Sequence, residues 1–117
     1  MSRKSGWIGV DLDGTLAQYD GFKGPMIIGE PVPKMLERVK DWLAKGITVK
    51  IVTARVSEGA ADGRDVAEVR TAIQDWCEKH IGQRLEVTCS KDYGMWELWD
   101  DRAVQVIPNT GERADGK

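Results

Sequence analysis

Two aspartates one residue apart, Asp11 and Asp13, close the apolar run Trp7-Ile8-Gly9-Val10, and Gly14 and Thr15 follow them. Side chains alternate along a strand, so both carboxylates would point to one side with Leu12 opposite. Carboxylates this close repel unless a proton or a cation sits between them. The glycine lets the backbone turn sharply where the strand stops. The pair therefore suits a hard metal ion and a phosphate. Three further polar groups end apolar runs: Thr53-Ala54-Arg55 after Ile47–Val52, Lys91 after Leu85–Thr88, and Asp100-Asp101-Arg102 after Met95–Trp99.

The elements that must position these groups alternate between two periods. Trp7–Val10 reads as a first strand. Leu16–Pro33, rich in Gly and Pro, reads as a loop with room for a small hairpin. Met35, Leu36, Val39, Trp42 and Leu43 recur at helical spacing with Gly46 as the stop, which predicts a helix over 33–45. Ile47–Thr53 is β-branched almost throughout, the pattern of a central strand buried on both faces. Ser57–Asp65 reads as a flexible loop, and Val66, Val69, Ile73, Trp76 and Cys77 mark one stripe of a second helix whose solvated side carries Arg64, Glu68, Arg70 and Lys79. Leu85–Thr88 and Met95–Trp99 are further strands, Val104–Ile107 a short edge strand, and Met1–Gly6 and Asn109–Lys117 disordered tails.

Strands alternating with helices imply right-handed βαβ units and a mainly parallel sheet, that is, an α/β chain with a Rossmann-like three-layer α/β/α sandwich. Ligands of such sheets bind beyond the carboxyl ends of the strands. The polar groups named above all fall there. With 117 residues the chain makes one domain with an ordered core over about 6–108.

Taken in order, D-x-D-G-T, T-A-R, a lysine after the next strand and D-D-R resemble the haloacid dehalogenase (HAD) phosphohydrolase superfamily over about Trp7 to Ile107. The T-A-R, the following helix and the D-D-R are also similar to the phosphatase part of polynucleotide kinase-phosphatases. The resemblance implies that Asp11 attacks phosphorus to give an aspartyl-phosphate, while Asp13 protonates the leaving oxygen and then activates water. It further implies Mg²⁺ held by Asp11, Asp100 and the backbone carbonyl of Asp13, with Asp101 direct or through water. Thr53 and Lys91 would clamp the transferring phosphoryl group, with Lys23 as the alternative lysine. Arg55 and Arg102 would hold substrate phosphate or neutralise the acidic cluster. Only short segments follow the first and second motifs, so the site would have no cap domain and would admit a phosphorylated small molecule or a nucleic-acid end.

A receiver-like phosphoacceptor module also combines an acidic pocket, a threonine and a lysine. Its acidic pair follows the first strand and its phosphorylated aspartate a middle one, whereas here an acidic pair recurs late and the middle strand ends in Thr53. A catalytically silent HAD-fold binding protein is the third reading, although no motif is missing.

Composition narrows the classes further. Charged residues make up 31% and hydrophobic ones 41%, ordinary for a globular chain, and a net charge of -2 predicts no general attraction to nucleic acid or anionic membrane. The apolar runs are too short to cross a bilayer or to form a secretory core, which points to the cytoplasm. No obligate protein partner is implied. Cys77 and Cys89 lack metal-ligand spacing and read as reduced structural thiols, and the single His80 excludes a zinc site or a Ser-His-Asp triad.

Overall fold

The computed structural model of the protein describes residues 6–59 and 62–116. Its elements are β1 (Trp7–Asp11), α1 (Pro33–Ala44), β2 (Thr48–Val52), α2 (Val66–Ile81), β3 (Glu86–Thr88) and β4 (Met95–Trp99). The four strands form one all-parallel sheet in the order β3-β2-β1-β4. The chain thus runs outward from β1 through β2 to β3, then returns to the far side of β1. Strand order reverses between β1 and β4.

Local chemistry sets the helix ends. Pro33 opens α1, where its fixed φ fits and its missing N–H costs nothing. Asp65 opens α2 by accepting from Ala67 N at 3.0 Å and Glu68 N at 3.3 Å. Gly82 closes it at φ 98°, a conformation glycine adopts without strain.

Alternate strand residues Ile8, Val10, Val49, Ile51 and Val87 join Met35 and Val39 of α1 and Val69, Ile73, Trp76 and Cys77 of α2 in one buried cluster. Full burial of each large side chain contributes about 1.5–3 kcal/mol. Both helices therefore share one core. The other register of the sheet is different: Trp7 Nε1 donates to Asp92 Oδ1 at 2.7 Å, and the Lys50 ammonium lies 3.3 Å from Glu86 and 4.5 Å above the Trp7 ring. β2 is thus not apolar on both sides. Lys50 is accommodated there because carboxylates and an indole face, rather than a helix, meet that position.

Three other segments differ from expectation. Residues 16–33 form no hairpin; Ala17 and Pro31 make a single antiparallel bridge, reinforced by Gln18 N to Glu30 O at 2.8 Å. Val104–Ile107 adds no sheet strand, because Val106 bridges Arg113 instead. Residues 109–116 are a hydrogen-bonded turn, with Ile107 N to Glu112 O and Ala114 N to Gln105 O both at 2.8 Å. The expected tail segments Met1–Ser5 and Lys117 lie outside the described residues. Among the described residues no helix is long and apolar enough to cross a membrane.

Candidate active site

Strand register brings the polar groups together. Val10 pairs with Trp99, so Asp100 follows level with Asp11; Asp11 pairs with Val52, so Thr53 lies one position beyond. These are the carboxyl ends of adjacent parallel strands, and β1 and β4 flank the point where strand order reverses, the favoured ligand position of such sheets. A cleft of about 480 Å³ opens there, lined by Asp11, Asp13, Thr53, Arg55, Asp100, Asp101 and Arg102, with Tyr19, Phe22, Arg64 and Cys89 among its other walls.

Beyond β1 the chain turns at once. Leu16 N and Ala17 N both donate to Leu12 O, at 3.0 and 2.8 Å, and Gly14 N donates to Ala17 O at 2.8 Å. Gly14 takes φ 85° and a β-carbon there would meet Asp101 Oδ2 at 2.5 Å, so only glycine lets β4's carboxylate approach this turn. Thr15 Oγ1 donates to Asp11 Oδ2 at 3.3 Å and reaches Asp101 Oδ1 at 3.5 Å. Asp100 Oδ1 accepts from Arg102 N at 2.7 Å, which fixes the turn after β4.

The two opening aspartates part company. Asp11, Asp100 and Asp101 each offer an oxygen within 4.8 Å of the others, a group able to hold a metal ion. Burial, a hydrogen bond shared with Asp101 and the charges of Asp100 and Asp101 push the Asp11 carboxyl up to about 7. Burial is the largest part of that rise, and the two neighbouring acids add to it. The Asp13 carboxylate instead faces Arg55, which donates from Nε to Oδ2 at 2.8 Å and from Nη2 to Oδ1 at 2.9 Å. Asp13 is therefore no side-chain member of the acidic group, which leaves its backbone carbonyl as its only route to a metal.

No protein-family model matches the sequence, and no functionally curated protein matches it. A solved structure does. It is described as that of a conserved protein coded by a locus of Bacteroides thetaiotaomicron, and is 21% identical over 90% of this chain and 83% of that one, with a TM-score of 0.56. The likeness is one of fold.

Thr53 is buried, and its hydroxyl oxygen accepts from Arg55 N at 3.2 Å, capping a short 3-10 turn over Ala54–Val56. Arg102 is exposed on the cleft wall. Lys91 is exposed and does not line the cleft. Its neighbour Asp92 is bonded to Trp7 at the start of β1, four residues and about 13 Å from Asp11 at ~3.3 Å per residue. Lys23 also stays off this cleft and pairs with Asp20 at 3.1 Å.

The structure adds groups the sequence reading passed over. Thr15 is one, with its hydroxyl between two of the acids. Arg64 belongs to the cleft rather than to a solvated helix face: it is half-buried, donates from Nη1 to Arg55 O at 3.0 Å and lies 5.7 Å from the Phe22 ring centre. The D-G-R-D sequence over 62–65 was the available signal, since Asp62 pairs with Arg64 and Asp65 caps α2. Of the two cysteines Cys77 is a core thiol, pushed up to about 11 by burial, whereas Cys89 is exposed at the cleft.

Proposed function

We propose that this chain is a Mg²⁺-dependent phosphomonoester hydrolase of the HAD type. One observation carries the reading: Asp11, Asp100 and Asp101 converge within 4.8 Å at the strand-order reversal, in a cleft that also holds Asp13, Thr53 and Arg102. The finer fold is part of the same proposal, namely a HAD-like domain without a cap, in which both helices of the described residues pack on one face of the sheet rather than in the expected three layers. In its support, among the described residues neither 16–32 nor 57–65 contains a helix or a β-strand from which a cap could be built.

Asp11, Asp100 and Asp101 fit a hard divalent ion, because they bring carboxylate oxygens within 4.8 Å of one another and a cation among them would relieve their mutual repulsion. Bound there, Mg²⁺ would supply charge neutralisation between carboxylate and phosphate. Ionised Asp11 attacks phosphorus, and the ester oxygen leaves with a proton from Asp13. Water then gives a proton to Asp13 and attacks the same phosphorus, which frees Asp11 and inorganic phosphate. Arg55 occupies two of the roughly four acceptor positions of the Asp13 carboxylate, so others remain for that proton. Thr53 and Arg102 are the cleft groups placed to receive phosphoryl oxygens. The substrate is a phosphorylated small molecule or nucleic-acid end, as the open cleft admits either.

Mg²⁺-dependent phosphate release from a generic phosphomonoester, abolished in Asp11→Asn, is the expected result. Turnover by that variant at the wild-type rate overturns the assignment. The position of Lys91 outside the cleft favours one competing reading, a catalytically silent binding protein, for which Mg²⁺ would bind with no phosphate released.

A further inference from the structure

We infer that Arg55 is a positioning residue: it fixes the Asp13 carboxylate and ties that orientation to the tip of the loop at Gly24–Pro25. The inference rests on the hydrolase reading for its kinetic consequence but not for its structural one. Arg55 is only 6% exposed, although it lies at the cleft. Its Nε and Nη2 grip both oxygens of Asp13, while Nη1 donates to Gly24 O at 3.1 Å and to Pro25 O at 3.0 Å. Four of the five N–H donors of the guanidinium are thus committed. A substrate phosphate would have to displace them, so the side chain is badly placed to act as a phosphate ligand.

The geometry of the fork matters more than its charge. Two parallel bonds hold the carboxylate against rotation about its last torsion, which a single ammonium contact does not. The same plane reaches across to two consecutive carbonyls of a segment with no helix or strand of its own. Elsewhere that segment is secured at its base, by the Ala17–Pro31 bridge and by Trp76 Nε1 to Gly29 O at 3.0 Å. Phe22, 5.7 Å from the Arg55 guanidinium, adds a second contact near the tip. Asp13 and Arg55 also line a separate space of about 90 Å³ beneath the loop, so the pair stands between that space and the open cleft. Loosening either partner should disturb both the carboxylate and the loop tip.

The test uses Arg55→Lys and Asp13→Asn, which preserve side-chain bulk, with two independent readouts. Amide exchange reads the loop: the Ile27 N–H, which donates to Gly24 O, should exchange at least fivefold faster in both variants. The Val32 N–H, which donates to Leu16 O at the loop base, should be unchanged. An unchanged Ile27 rate in Asp13→Asn overturns the coupling, whether or not the protein proves to be a phosphatase. Steady-state kinetics on Arg55→Lys read the site: kcat should fall at least tenfold, with KM and inhibition by inorganic phosphate within twofold of wild type. Weakened phosphate inhibition at retained kcat would make Arg55 a phosphate ligand instead, and an unmoved kcat would leave it merely structural; either result overturns the inference.

Discussion

The backbone at Gly14 lies so near the Asp101 carboxylate that a β-carbon would sit 2.5 Å from Oδ2, and its φ of 85° is one that side-chain-bearing residues avoid. The turn after β1 and the end of β4 are therefore fitted to each other. Gly14→Ala should lose about 1–3 kcal/mol of stability from backbone strain and should also push Asp101 off the acidic group. Gly46 separates the two effects: its φ is 79°, but open space surrounds it. Calorimetric Mg²⁺ titration should show at least tenfold weaker binding in Gly14→Ala and unchanged binding in Gly46→Ala, with both variants melting lower.

Asp11 gives a pH dependence whose sign follows from its burial and, to a smaller extent, from its acidic neighbours. Its carboxyl is raised from 3.8 to about 7 in the folded chain, so the folded state holds a proton that the unfolded state has released. Stability from this group is complete below about pH 4 and is lost as pH rises through about 7. With the group partly open to solvent, the loss is on the order of 1–2 kcal/mol. Urea unfolding in a chelator should show this decline between pH 4 and 7, and Asp101→Asn should reduce it without removing the part due to burial. Added Mg²⁺ should restore stability above pH 7.

Asp13 and Asp11 should separate kinetically. Asp13→Asn keeps the nucleophile but removes the group that takes a proton from water, so phosphorylated protein should accumulate while turnover slows by about 10²–10⁴-fold. Rapid acid quench followed by intact-mass measurement reads the adduct. A receiver-like module would give a long-lived adduct in the wild type as well.

The convergence of Asp11, Thr53, Asp100 and Asp101 was legible because each closes an apolar run, and parallel sheets gather strand ends on one edge. What alternation could not convey was partner choice. Asp11 and Asp13 are two residues apart, yet the turn through Gly14 sends one carboxylate to Asp100 and Asp101 and the other to Arg55, an arginine 42 positions later. The β-branched run of β2 pointed to burial on both sides, but Lys50 depends on Glu86 and Asp92 from distant segments. Val104–Ile107 has strand-forming residues without a free sheet partner, so propensity there yields only a bridge to Arg113.

Lys91 shows how a short connection can remove a residue from the chemistry its order suggests. The sheet order puts β3 and β4 on opposite edges, about 14 Å apart at ~4.8 Å per strand, and only residues 89–94 join them. They must also return from the carboxyl end of β3 to the amino end of β4. Asp92 is already bonded to Trp7, so Lys91 is carried away from Asp11. Lys91→Ala should keep kcat and KM within about twofold of wild type. Arg102, on the cleft wall beside Asp100 and Asp101, should behave otherwise: losing one charge-assisted phosphate contact of about 1.5 kcal/mol raises KM roughly tenfold in Arg102→Ala. A collapse of activity in Lys91→Ala with an unaffected Arg102→Ala would mean that the β3–β4 connection rearranges to bring the ammonium to the phosphate.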